Sequence, residues 1–466
     1  MRKHVEFTDM AGLSVRPGTL TVWRPVAVDE HPASWRADAR PASHAQEAHV
    51  TQWPAAPRPS PSWIATAFEL PGPLSTEALE TALLLWIDRH ESLRSHLVPD
   101  GTGLRRTTLA PGAAAVRGSV VGTYLSGDAL AHRIEELFDR EAVPPGWPSY
   151  LFATVTHPEA TTLYLGCDHS NVDGYSMALA AYEIRRLYEA ALHGMRLELA
   201  EVGSFPDFAA RERQAAELVG GDHETVVRWR AFMEATGGRM PDFPAPVEAD
   251  EAGSAPQHNG LEWLLDADEA AAFGALCRRA GGSFCAGLLA CLAMAADVQG
   301  EVARRRGSFS TLMPFHTRNQ AQWTWSVGWY VGLAPLRFAA RAEDGFAALT
   351  GRAMAALQEA RPMAEVPVAR VTELLGAPVE PRFVVSYMDF RHVPGARQWT
   401  DWKAAMVRSH RIHPHEVYLW INRTHEGAYV SFRHPRTEQA EKAVLRYVED
   451  VRRTMADVLG GQEAAA

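Results

Sequence analysis

The chain has 466 residues and a mass of 51.2 kDa, which is long for one domain and comfortable for two of roughly 200 residues each. It is 47% hydrophobic and 22% charged, enough to bury two cores and to exclude wholesale disorder. Lys+Arg 46 against Asp+Glu 56 leaves a net charge of −10, which argues against a nucleic-acid binder held by phosphate contacts.

No apolar run approaches the roughly 18 residues of a membrane span, and the opening MRKHVEFTDMAGL lacks an apolar signal core. Cys167, Cys277, Cys285 and Cys291 form no CxxC pair and make no disulfide framework, so a cytoplasmic chain with reduced thiols is expected.

The first sixty residues, rich in Pro, Ala and His, read as an irregular strap with one short helix over 43–51. Strand 62–70 stops at Pro71-Gly72-Pro73, and Ser75 caps a helix with Leu79, Leu83, Trp86, Ile87 and Leu93 on its apolar face. A helix over 126–140, strands 150–156 and 161–167, and a helix over 175–193 follow. The stretch 235–259 is dense in Gly, Pro, Ala and acid without periodicity, and marks the boundary between two halves. Beyond it come a strand at 261–265, an Asp-capped helix ending at Gly281-Gly282, a buried helix over 285–298 and strands at 307–313, 330–338, 382–388, 417–422 and 428–433. An amphipathic helix over 437–459 closes the chain. Strands and helices mix without strict βαβ alternation, so each half reads as α+β. The expected domains are 1–215, a linker over 216–259, and 260–466.

The chemistry concentrates in TTLYLGCDHSNVDGYS, residues 161–176, where a strand delivers Asp168, His169, Asp173 and Gly174 onto a tight loop before a helix. A histidine at a strand end, in a turn that Gly174 allows, suits a general base held away from bulk water. The plainer alternative is a surface His169, with Asp173 as a simple helix cap. A Ser170–His169 dyad is disfavoured because neighbouring strand residues point to opposite faces. Cys167 sits in the apolar part of its strand, where cysteine usually packs. A metal site would need the His410/His413/His415 cluster to supply a ligand, and none is expected.

HSNVDG resembles the second half of the HHxxxDG motif of the CoA-dependent acyltransferase superfamily, which includes chloramphenicol acetyltransferase, carnitine acyltransferases, peptide-synthesising condensation domains and the mycobacterial polyketide-associated acyltransferases. RHESLRSHL (89–97) resembles the segment ending the first long helix of condensation-type members. PFHTRNQ and SVGWYVGLAPLRF resemble the family's arginine segment and the strand after it. RFVVSYMDF and HEVYLWINR resemble two late strands of the mycobacterial acyltransferases.

The resemblance implies two chloramphenicol-acetyltransferase-like lobes, each a mixed sheet with flanking helices, and an active-site channel between them. It implies an acyltransferase that takes its acyl group from a CoA or carrier-protein thioester, with no permanently bound cofactor. The acceptor would be a hydroxyl of a lipid, sugar or polyketide, and the chain a monomer. His169 matches the base, Asp173 the aspartate that pairs with an arginine at Arg318, and Gly174 the glycine leaving room for substrate. Asp168 departs from the first histidine, and an anion there would favour the imidazolium of His169. Ser386, His415 and Trp329 are candidate substrate-side residues. Trp323, Trp325 and Trp329 form either a tunnel wall or ordinary packing. Two rivals remain: amide formation with an amine acceptor, and a non-catalytic scaffold that binds a carrier protein.

Overall fold

The computed structural model describes residues 7–28, 34–55, 60–101, 103–144, 146–250, 256–299, 307–341 and 343–463. The chain divides into two compact units: Met1–Leu218 with Arg318–Tyr330 and Val393–Arg411, and Val219–Thr317 with Val331–His392 and Ile412–Ala466. Membership thus departs from the expected simple halves. Segments 318–330 and 393–411 follow second-unit sequence yet belong to the first unit. The expected linker starts at the end of the first unit, runs into the second from Val219, and carries a helix, Glu224–Ala235, because Val226, Trp229 and Phe232 bury an apolar face there.

The first unit is built on strands β1 (Phe7–Thr8), β2 (Gly18–Ala27), β3 (Trp35–Asp38), β4 (Trp63–Leu70), β5 (Ser95–Pro99), β6 (Leu104–Leu109), β7 (Ala114–Tyr124), β8 (Tyr150–Thr156) and β9 (Thr161–Asp168). The second-unit strands β10 (His258–Asp266), β11 (Ser308–His316), β12 (Val331–Ala339) and β13 (Phe383–Asp389) come next. Then β14 (Ala405–Arg408) returns to the first unit, and β15 (Val417–Arg423) and β16 (Gly427–His434) end the set.

The first unit's main sheet runs β1-β14-β4-β9-β8-β2-β7, all neighbours antiparallel except β1 beside β14. The expected irregular strap is therefore corrected: β2 is a ten-residue strand whose Leu20 and Val22 reach the core. Its Pro25 is tolerated because β8 pairs only with Thr19–Trp23, so no partner on that side asks Pro25 for an N–H.

On one face Leu130, Ile134, Leu137 and Phe138 of the helix Gly127–Glu141 pack against Trp63, Leu151 and Tyr164. Gly166 is required there, since a Cβ would meet the Phe138 ring at 2.5 Å. Helix α1 (His44–Ala55) covers the expected short helix. Helix α2 (Thr76–Arg89) is capped by Ser75 as expected and buries Leu79, Leu83, Trp86 and Ile87. Each such side chain contributes about 1.5–3 kcal/mol.

Residues 174–192 form the helix that follows the motif loop (Gly174–Leu192). Its buried Glu183 accepts Trp86 Nε1 at 3.1 Å, Arg89 Nε at 3.0 Å and His90 Nε2 at 2.6 Å. The RHE segment is thus the tie between α2 and the post-motif helix. His90 Nδ1 in turn accepts the Val327 N–H at 3.4 Å, which brings residues 326–330 beside the motif loop.

The second unit carries a mixed sheet, β10-β16-β15-β13-β11-β12, with parallel pairs β11/β13 and β13/β15. Period-two alternation gives it two buried faces. Val385, Leu419 and Phe432 join one core with helices Ala267–Arg279, Phe284–Gln299, Phe346–Met363 and Glu438–Glu463. Leu312, Ala334 and Val384 join another with Trp229 and Val371. Each unit is α+β. Among the described residues no single helix is long and apolar enough to cross a membrane.

Candidate active site

β9 ends at Asp168 and the next helix begins at Gly174, so the candidate site sits on a five-residue loop between them. Pairing continues just past the strand: the Asp168 N–H donates to the Ser149 carbonyl at 2.9 Å and the His169 N–H to that of Ser62 at 2.8 Å. Inside the loop, Asn171 N–H reaches the Asp168 carbonyl at 3.1 Å and Asn171 Nδ2 reaches Ser149 Oγ at 2.6 Å. These bonds, together with the extended backbone of Asp173 (φ −122°), make the bend. Gly174 is the first helical residue and has no left-handed φ, so its expected role in bending the loop is corrected.

Asp173 is both of the things the sequence left open. It caps the helix, accepting the Ser176 N–H at 2.8 Å, and it carries a buried ion pair with Arg318 at 2.6 and 3.0 Å. Tyr330 N–H supplies a further donor at 3.0 Å. The Arg318 guanidinium lies 4.8 Å from the Tyr175 ring centroid and 4.4 Å from that of Tyr330, and also donates to Ser176 Oγ at 2.9 Å. Burial alone would raise the Asp173 carboxyl. The Arg318 charge and these hydrogen bonds outweigh it and hold the carboxyl below the usual carboxylate range.

His169 is partly exposed, with Nδ1 buried and without a partner beyond its own backbone. Its ring lies against Trp329, centroids 4.1 Å apart at 39°. Burial pulls its pKa down and prevails over a hydrogen bond to its own backbone, which pushes it up; the proximity of His49 adds to the lowering, and Asp168 and Asp173 push upward. Asp168 does push toward the imidazolium as expected, but burial outweighs it and the net direction is down. The Asp168 carboxylate itself accepts His49 Nε2 at 3.0 and 3.1 Å and the Ser170 N–H at 2.9 Å. His49 is the residue that sequence reasoning missed. It lies on α1, 119 positions away, and no local pattern links it to the motif.

Trp329 joins the motif, whereas Trp323 is buried among Phe205, Phe208 and Tyr330 as ordinary packing. Ser386 lies on β13 opposite Trp420, in the second unit. His415 also belongs there and lines a cavity of about 670 Å³ with Phe243, Met294, Phe309 and Arg382. Of the late histidines, His410 belongs to the first unit and bonds Glu135 at 2.9 Å, while His413 and His415 belong to the second, where His413 Nδ1 accepts the Glu416 N–H at 2.9 Å. Burial pushes the Cys167 thiol well up, which disfavours a thiolate.

Comparison with known proteins places this geometry in context. The family described as Condensation domain matches residues 36–464. Among curated proteins, the chain is 25% identical over 445 residues to acyltransferase PapA3 of Mycobacterium tuberculosis, covering 92% of each. It is 24% identical over 393 residues to trehalose-2-sulfate acyltransferase PapA2 of the same species, covering 82% of this chain and 81% of that one. Among solved structures, a PapA2 acyl transferase superposes with a TM-score of 0.87 at 22% identity, over 97% of this chain and 99% of that one. The first condensation domain of the calcium-dependent antibiotic synthetase gives 0.66 at 19% identity, over 90% and 95%.

Proposed function

We propose, for a chain that belongs to the condensation-domain family and is an acyltransferase, that His169 is the general base for ester formation. The acyl donor is a thioester of CoA or of a carrier protein, and the acceptor a hydroxyl of a sugar, lipid or polyketide. With Nδ1 buried, Nε2 takes the proton of the acceptor hydroxyl as its oxygen attacks the thioester carbonyl. The C–S bond then breaks, the thiolate receives the proton from His169, and the products are an ester and a free thiol. The thioester is already activated, so no covalent enzyme nucleophile is needed.

The observation that carries the reading is a partly exposed imidazole with a lowered pKa, on a loop fixed by the buried Asp173–Arg318 pair. The sugar-directed name of one relative supports a hydroxyl acceptor. Incubating the protein with acyl-CoAs or acylated carrier protein and with trehalose or long-chain alcohols tests it. Acceptor-dependent thiol release with an ester detected by mass is expected. Amides formed from amine acceptors alone, or no acceptor-dependent release from any thioester, would overturn the proposal.

A pH dependence follows with a definite sign. The neutral imidazole is the active form and burial lowers its pKa, so the acid limb of kcat/KM is expected below the ordinary histidine value of about 6.5. The same shift acts on stability. The unfolded state takes up the proton first as pH falls, so this group's contribution is lost on acidification through that range. A rate profile whose acid limb is centred above the ordinary value counts against the assignment.

A further inference from the structure

Asp168 stands where the resembled motif has its first histidine, yet an imidazole reaches the same carboxylate from another element. His49 Nε2 lies 3.1 and 3.0 Å from the two Asp168 oxygens, with the Asp168 side chain fully buried and that of His49 only 15% exposed. One turn earlier on α1, Gln46 Nε2 donates to the Ser170 carbonyl at 2.8 Å, so α1 grips the loop on both sides of His169.

A second contact reaches His169 itself. The His49 ring stands edge-on to Trp329, centroids 5.8 Å apart at 83°, and Trp329 lies against His169 at 4.1 Å. A working imidazole is ordinarily oriented by an acceptor at its second nitrogen. No other residue supplies one here: Nδ1 is buried with no partner beyond the backbone of His169 itself, and both Asp173 oxygens are occupied by Arg318, Ser176 and Tyr330. Ring contact with Trp329 then adds to the orientation that the residue's own backbone supplies.

We propose that His49 is a positioning residue for His169, holding the Asp168 carboxylate toward α1 and bracing Trp329 against the face of the base. The inference rests on the reading of His169 as the base. It explains why the departure at Asp168 is compatible with an intact loop: the buried carboxylate is met by an imidazole that α1 supplies.

The test compares H49A, H49F, H49Q and H169A by steady-state kinetics and thermal melting. H49A is expected to lower kcat about 10–100-fold with KM within about two-fold, the size typical of lost orienting contacts. H49F keeps the ring against Trp329 and H49Q keeps a donor for Asp168, so each is expected to recover part of the loss. They also carry the test if H49A does not fold. A lower melting temperature with wild-type kcat in all three His49 variants would make the residue merely structural and overturn the inference, and a loss confined to KM would do the same. Should H169A itself retain full activity, the base assignment fails instead, which the parallel assay separates.

Discussion

Alanine in place of His169 is expected to lower kcat by about 10²–10⁴-fold, the contribution of a positioned general base. The melting temperature should change little. Nδ1 has no partner beyond the residue's own backbone, and the neutral ring is held by contact with Trp329. The loop backbone is fixed independently by Ser62, Ser149, Asp168 and the Asp173 cap. A folded but inactive variant is therefore the expected result, read by circular dichroism and by thiol release from an acyl thioester. Residual turnover, if measurable, reports what alignment of the two reactants supplies without a base. A variant that turns over at the wild-type rate would remove His169 from the mechanism. The outcome also bears on the pH profile: with the imidazole gone, any remaining rate should lose the acid limb assigned to it.

What the sequence made legible was what is local. The Ser75 cap, the apolar stripe Leu79–Leu83–Trp86 and the apolar strands around the motif all carry their signal within one element; the strand ends shift by at most one residue, whereas the helix stops at Arg89 and leaves the expected Leu93 to a separate short helix, Glu91–Arg94. What it hid depends on distant partners. The strand Ala405–Arg408 is four residues long, and its membership in the first unit's sheet is set by pairing with Ile64–Ala67, far away in the chain. β2 alternates Leu20 and Val22 correctly, but the surrounding Pro, Ala and His content masked it. The site divides the same way. His169 and Asp173 are legible from a six-residue pattern, and Arg318 only through a family resemblance. His49 was not legible by either route, since its role exists only once α1 lies beside the loop.

Removing the guanidinium from Asp173 is the substitution expected to cost most stability. In R318M the Asp173 carboxylate stays buried with only backbone and hydroxyl donors, and breaking a buried pair from one side typically costs about 3–5 kcal/mol. For a unit of this size that corresponds to a melting temperature lower by roughly 6–20 °C. D173N makes the opposite error, leaving the arginine between the Tyr175 and Tyr330 rings without its counter-charge. The two substitutions share one network, so D173N/R318M should lose less than the sum of the singles. The pH dependence adds an independent readout. Asp173 is held below the usual carboxylate range, so its contribution is present above that range and lost as pH falls through its lowered value. R318M removes the charge responsible and should move acid unfolding to higher pH. Turnover should fall as well, because the same pair ties residues 318–330, with Trp329 among them, to the loop bearing His169. Unchanged melting and unchanged kcat in R318M would show that the loop does not depend on this pair.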